Sequence, residues 1–117
     1  MSQIEIRKEH YIDKETQKWE KSPGGVEMTF DNGNSILFKW GMHDKCSSTP
    51  ALGEPTLICT SAEVMIYDED DNFVIFDVDI KKGWVTPDEI AQLIYITSNN
   101  TIEEIQEIVK LDFSEVK

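Results

Sequence analysis

The feature that most constrains this chain is the alternation of apolar residues on either side of Asp31-Asn32-Gly33-Asn34. Val26, Met28 and Phe30 lead into that stretch, and Ile36, Phe38 and Trp40 lead out of it. Apolar side chains at every second position, interrupted by a polar Gly-containing turn, specify a β-hairpin with one buried face. Register then selects the turn, because residues paired across a hairpin share a face. A two-residue Asn32-Gly33 loop pairs Phe30 with Ser35 and Met28 with Leu37, which scatters the apolar set. A type I turn through Asp31-Asn32, with Gly33 at positive φ in a bulge, pairs Met28 with Ile36 and Val26 with Phe38. The second arrangement is the expected one.

The remaining elements follow from the same two periodicities. Ile4 and Ile6 alternate with Glu5 and Arg7, so a first strand spans Gln3 to Ile12 and frays into the polar run Asp13 to Ser22. Pro23-Gly24-Gly25 is expected to break the chain, and Gly41 to Pro55, rich in Gly, Ser, Pro and Thr, to form a long loop. Thr56 to Tyr67 reads as one strand with Ile58, Ala62, Val64 and Ile66 inward. Phe73 to Ile80 reads as its partner across the turn Asp68-Glu69-Asp70-Asp71-Asn72, with Val74, Phe76, Val78 and Ile80 on one face. Thr86-Pro87-Asp88-Glu89 is a capping box with Pro at the first helical position, and Val85 and Ile90 are spaced as a hydrophobic staple. Thr101-Ile102-Glu103-Glu104 repeats the box. Helices are expected from Pro87 to Thr97 and from Ile102 to Lys110, joined by Ser98-Asn99-Asn100, with Ile90, Leu93, Ile94, Ile102, Ile105 and Val109 on their buried faces. The fold class is α+β, an antiparallel sheet of about five strands with two C-terminal helices packed on one face. At 117 residues the chain is expected to form a single domain, 1–117.

Charge divides the chain in two. The net charge of −12 is spread unevenly: residues 1–50 hold 7 basic and 8 acidic side chains, and residues 51–117 hold 4 and 15, giving −1 and −11. An anionic field of this kind attracts basic proteins and repels nucleic acid and anionic membranes. With 39% hydrophobic residues the chain is too apolar to be a disordered acidic tail. The N-terminus carries no secretory pattern and no window is apolar enough to span a bilayer, so a cytoplasmic location is expected. Cys46 and Cys59 read as free thiols in that setting.

Part of the acid has a local explanation. Asp88, Glu89, Glu103 and Glu104 fall in first helical turns, where the helix dipole favours carboxylates. Seven others, Glu63, Asp68, Glu69, Asp70, Asp71, Asp77 and Asp79, fall on the expected 56–80 hairpin. Its outward face carries Met65, Tyr67, Phe73 and Ile75 among those acids. Either this patch is covered by the N-terminal segment or the Gly41–Pro55 loop, or it is a recognition surface with apolar anchors in an anionic rim.

The sequence carries no complete catalytic or metal-binding signature. Asp68, Asp70 and Asn72 imitate the opening of a calcium loop, but Phe73 stands at the glycine position and Asp79 at the final glutamate position. His43, Asp44, Cys46 and the distant His10 lack zinc-ligand spacing. No nucleophile elbow or phosphate-binding glycine loop occurs, so no enzyme activity and no cofactor is expected. The expectation is a protein-binding domain, an inhibitor or immunity protein that neutralises a basic partner such as a nuclease toxin. The alternative is a DNA mimic of the anti-restriction or anti-CRISPR type. The partner-binding set is that hairpin's seven acids with its four apolar residues.

Overall fold

The structure, a computed structural model, describes residues 2–12, 19–40, 48–50 and 57–112. Five strands form one antiparallel sheet: β1 (Gln3–Ile12), β2 (Trp19–Thr29), β3 (Ser35–Lys39), β6 (Ala62–Tyr67) and β7 (Lys82–Val85), in the spatial order β1-β2-β3-β6-β7. Between β3 and β6 in sequence, β4 (Ser48–Pro50) and β5 (Leu57–Cys59) pair as a separate ribbon. Two helices, α1 (Pro87–Asn99) and α2 (Ile102–Asp112), follow β7. The chain is thus α+β with its helices at the C-terminal end.

The β2–β3 hairpin adopts the register that gathers the apolar residues, Met28 opposite Ile36 and Val26 opposite Phe38. The Gly33 N–H bonds the Phe30 carbonyl at 3.0 Å and the Phe30 N–H bonds the Asn34 carbonyl at 2.9 Å. Gly33 sits at φ 88, where a residue without Cβ is unstrained.

Pro23-Gly24-Gly25 does not break the chain; it is absorbed into β2 as a bulge. Arg7 pairs with Gly25 and Lys8 with Pro23, so Gly24 has no opposite residue on β1. A bulge is where a sheet tolerates a residue lacking its N–H. Gly25 is required for a different reason, since a Cβ there would lie 2.8 Å from the Phe38 carbonyl oxygen. Of the polar run, residues 13–18 lie outside the described residues, as do 41–47 and 51–56 of the expected long loop, with His43, Asp44 and Cys46 among them.

The expected strand from Thr56 to Tyr67 is two strands in two sheets. Continuous alternation would aim Thr60 into the core, and instead Thr60 is exposed at a bend between β5 and β6. The expected strand from Phe73 to Ile80 does not form either. Phe73 makes a single bridge to Tyr67 and the Val74 N–H bonds the Ile66 carbonyl at 2.9 Å; the chain then leaves the sheet, reverses at Phe76 to Asp79, and returns as β7 beside Ala62 and Val64. Val74 and Phe76 are buried as expected, but Val78 is 90% exposed at that reversal. An uninterrupted strand would have set Asp77 opposite Glu63, whose side chain is only 5% exposed. Like charges facing each other at a buried position are unfavourable.

Both helices start at Thr N-caps and end two residues later than expected. In α1 the Thr86 hydroxyl accepts the Glu89 N–H while the Glu89 carboxylate accepts the Thr86 N–H. α1 lies against β3 and β6. Ile36, Val64 and Ile66 from the sheet meet Leu93, Ile105 and Val109 from the helices, with Val74, Phe76 and Val85 closing the core between them. The aligned residues Val26, Phe38 and Val64, and Met28, Ile36 and Ile66, therefore share the helix-covered face. Glu27, Leu37 and Met65 share the other.

Candidate functional site

One end of the sheet is built from two copies of the same turn. At Asp68-Glu69-Asp70-Asp71-Asn72 the Asp71 N–H bonds the Asp68 carbonyl at 3.2 Å and the Asp68 N–H bonds the Asn72 carbonyl at 3.1 Å. This repeats the pattern at Phe30 to Asn34, with Asp71 at φ 61 in the place of Gly33. The turns stand side by side, because a Cβ on Gly33 would lie 3.1 Å from the Glu69 carboxyl carbon. The short acidic turn is thus welded onto the glycine of its neighbour.

The third wall is the α1–α2 junction. α1 ends without a basic residue to meet its last carbonyls. Side-chain amides take that role: Asn34 donates to the Asn100 carbonyl at 2.7 Å and to Thr97 at 3.2 Å, and Asn32 donates to Thr97 at 3.0 Å. Asn99 and Ser98 both donate to the Tyr95 carbonyl, and Asn100 to that of Ile96. α2 then opens on a reciprocal capping box between Thr101 and Glu104.

Between these three segments lies an open groove of about 530 Å³. Asp68, Glu69 and Asp70 line one side and Glu103 and Glu104 the other, with Asn, Ser and Thr side chains between them and no cation among the described lining residues. Two of the five carboxylates have fixed roles. Asp68 accepts from the Asn72 side chain and from the backbone of Asn72 and Asp70, and these bonds, led by the Asn72 amide, hold its carboxyl below the usual aspartate range. Glu104 is held below the usual glutamate range by the Thr101 backbone N–H and then by the Thr101 hydroxyl. Glu69, Asp70 and Glu103 are exposed on the groove rim. Such a groove can accept hydrogen bonds and positive charge.

The expected partner-binding set is divided by the structure. Asp68, Glu69 and Asp70 join the groove, and Asp71 is exposed beside them. Glu63 is buried and so leaves the exposed set. Met65, Tyr67 and Phe73 are half-buried, the last two rings 5.3 Å apart. Ile75, Asp77 and Asp79 are exposed on the excursion over α2, away from the sheet ladder. Glu103 and Glu104, accounted for in sequence by the helix dipole, share the groove with the acidic turn.

Two exposed aromatics were not singled out by the sequence reading. Tyr95 is 70% exposed, and its carbonyl anchors Ser98 and Asn99 of the groove wall. Its position off the Ile90, Leu93, Ile94 stripe is the signal that could have found it. Trp84 is 60% exposed and sits at φ 58, in a bulge where β7 sets Gly83 and Trp84 against Glu63 alone. Left-handed backbone at a bulky residue costs roughly 1–2 kcal/mol.

Among the described residues no group of three or more His, Cys, Asp or Glu is placed to hold a metal ion, and no helix is long and apolar enough to cross a membrane. No protein-family model matches the chain, and neither curated proteins nor solved structures yield a significant match.

Proposed function

We propose that this protein is a stoichiometric inhibitor of a basic protein, of the immunity-protein type that neutralises a nuclease toxin. The observation that carries the reading is the convergence of Asp68, Glu69, Asp70, Glu103 and Glu104 on one groove from segments more than thirty residues apart in sequence. Opposed carboxylates with no cation among the described residues that line the groove suit a Lys or Arg side chain of a partner. Tyr95, exposed one turn before the end of α1, supplies the kind of aromatic contact on which protein interfaces concentrate their energy.

The test is capture on the immobilised chain at low salt from the cell that makes it, followed by titration of the recovered protein against variants. The reading expects one basic partner at a 1:1 ratio, released as salt rises, because exposed charges are screened beyond about 8 Å at physiological ionic strength. Tyr95→Ala should weaken binding by about 2 kcal/mol, more than Asp70→Asn does. If each acidic substitution mattered and Tyr95→Ala were silent, the evidence would favour a DNA mimic. Binding indifferent to salt would remove the acidic-groove reading altogether.

A further inference from the structure

We propose that Asn32 is a deamidation site held closed by α1, and that its conversion to aspartate or isoaspartate unfastens one wall of the groove for good. Of the asparagines in the chain, Asn32, Asn34, Asn72, Asn99 and Asn100, only Asn32 precedes a glycine. An asparagine deamidates when the backbone nitrogen of the next residue attacks its side-chain Cγ. A following glycine, having no side chain, obstructs that approach least and bends to it most readily. Asn32 is also exposed, in the turn between β2 and β3, so water reaches it.

The step needs only base and water. The Gly33 nitrogen gives up its proton and bonds to the Asn32 Cγ, the Cγ–Nδ2 bond breaks, and Nδ2 departs with a proton as ammonia, leaving a succinimide ring. Water then opens the ring. Attack at the side-chain carbonyl gives aspartate; attack at the main-chain carbonyl gives isoaspartate, in which the chain runs through the side chain and is a carbon longer.

Each reacting group is engaged in the fold. Asn32 Nδ2, the leaving group, donates to the Thr97 carbonyl at 3.0 Å and to the Asn100 carbonyl at 3.2 Å. The attacking nitrogen is occupied too, since the Gly33 N–H donates to the Phe30 carbonyl at 3.0 Å. Asn32 Oδ1 accepts the Asn34 N–H at 3.1 Å, which polarises the carbonyl under attack. The site is thus activated within its own turn and restrained by the end of α1. Ring closure waits on a local opening that parts the two, and its rate follows the population of that opened state.

The product cannot refasten. A carboxylate at position 32 has no hydrogen to donate to the Thr97 and Asn100 carbonyls and sets negative charge against both, in a lining that already carries Asp68, Glu69, Asp70, Glu103 and Glu104. Isoaspartate also lengthens the turn, so the bonds from Gly33 to Phe30 and from Phe30 to Asn34 lose their register. Asn34 alone then bridges the turn to those carbonyls.

Ageing the full chain at mildly alkaline pH, with peptide mass spectrometry to locate each conversion of amide to acid, tests the proposal. Conversion should fall first at Asn32 and should run roughly tenfold or more slower in the native chain than in the same chain unfolded in urea. Asn34→Ala, shown to be folded by circular dichroism, should convert faster than wild type, because it removes the neighbouring donors to the same carbonyls. Independently of that variant, the converted wild-type fraction, separated by charge, should unfold at a lower urea concentration than the unconverted one. Conversion first at another asparagine, equal rates with and without urea, a folded Asn34→Ala chain that converts no faster, or a converted fraction as stable as its parent would overturn the proposal.

Discussion

Gln106 holds the backbone of Ile75 at both polar groups: its Oε1 accepts the Ile75 N–H at 2.7 Å and its Nε2 donates to the Ile75 carbonyl at 2.9 Å. A primary amide offers the same donor and acceptor as a strand residue, so α2 supplies the partner that β6 does not. This contact fixes the excursion after Val74, whose own N–H still bonds Ile66 of β6, and lets Phe76 reach the core from outside the sheet.

Gln106→Ala is expected to cost about 1 kcal/mol and no more, because the exposed Ile75 backbone can bond water instead. Gln106→Glu keeps the acceptor but turns a carboxylate toward a carbonyl, so at neutral pH it should cost more than Gln106→Ala. Its deficit should shrink as the new carboxyl is protonated. Urea unfolding of both variants at neutral and acidic pH checks the ranking.

The paired turns make a prediction of opposite sign at equivalent positions. Gly33→Ala forces a side chain into φ 88 and against the Glu69 carboxylate, and should cost about 1 kcal/mol. Asp71→Gly removes a side chain from φ 61 and should stabilise the fold by up to about 1 kcal/mol. Thermal denaturation of the two single variants measures both; equal signs would show that the turns are not energetically equivalent.

Asp68 gives the fold a pH dependence whose direction is set by its hydrogen bonds. Its carboxyl is held below the ordinary aspartate value in the folded state, led by the Asn72 side chain. The stabilisation is therefore complete above the unfolded value of about 3.9 and is lost as pH falls through the lower folded value. The stability difference between wild type and Asp68→Ala should be constant from neutral pH down to about pH 5 and should narrow below about pH 4. Denaturant titrations across that range would detect a gap that instead widens on acidification.

Where sequence and structure agree, two independent signals point the same way. The β2–β3 register follows from both the alternation of Val26 to Trp40 and the glycine at the turn, and each helix start follows from both a Thr cap and its Glu. The departures arise where a single signal was available. Alternation from Phe73 to Ile80 fits a strand, but pattern alone cannot reveal that Gln106, thirty-one residues beyond Ile75, satisfies the backbone instead. The bulge at Gly24 depends on Lys8 and Arg7 opposite it, which the local Pro-Gly-Gly signal does not contain. The groove was half readable: its acidic turn was identified, whereas its other wall depends on Asn34 reaching Asn100, a contact spanning sixty-six residues.

Thr97 is the one described side chain whose buried polar atom lacks a hydrogen-bond partner. Its carbonyl accepts from Asn32 and Asn34, while its hydroxyl is enclosed in the core at zero exposure. A buried hydroxyl without a partner costs roughly 1–3 kcal/mol by the measure of protein substitutions. Thr97→Val replaces it with a methyl of nearly the same size and keeps the branched Cβ, so helix preference changes little. The variant should be more stable by about 1 kcal/mol, with the carbonyl contacts to both asparagines intact. Thr97→Ser separates the two contributions, because it keeps the unsatisfied hydroxyl and removes a packed methyl, and it should be destabilised by about 1 kcal/mol. Urea midpoints with unchanged slopes would measure both shifts, and a Thr97→Val protein less stable than wild type would show that the hydroxyl is bonded in solution.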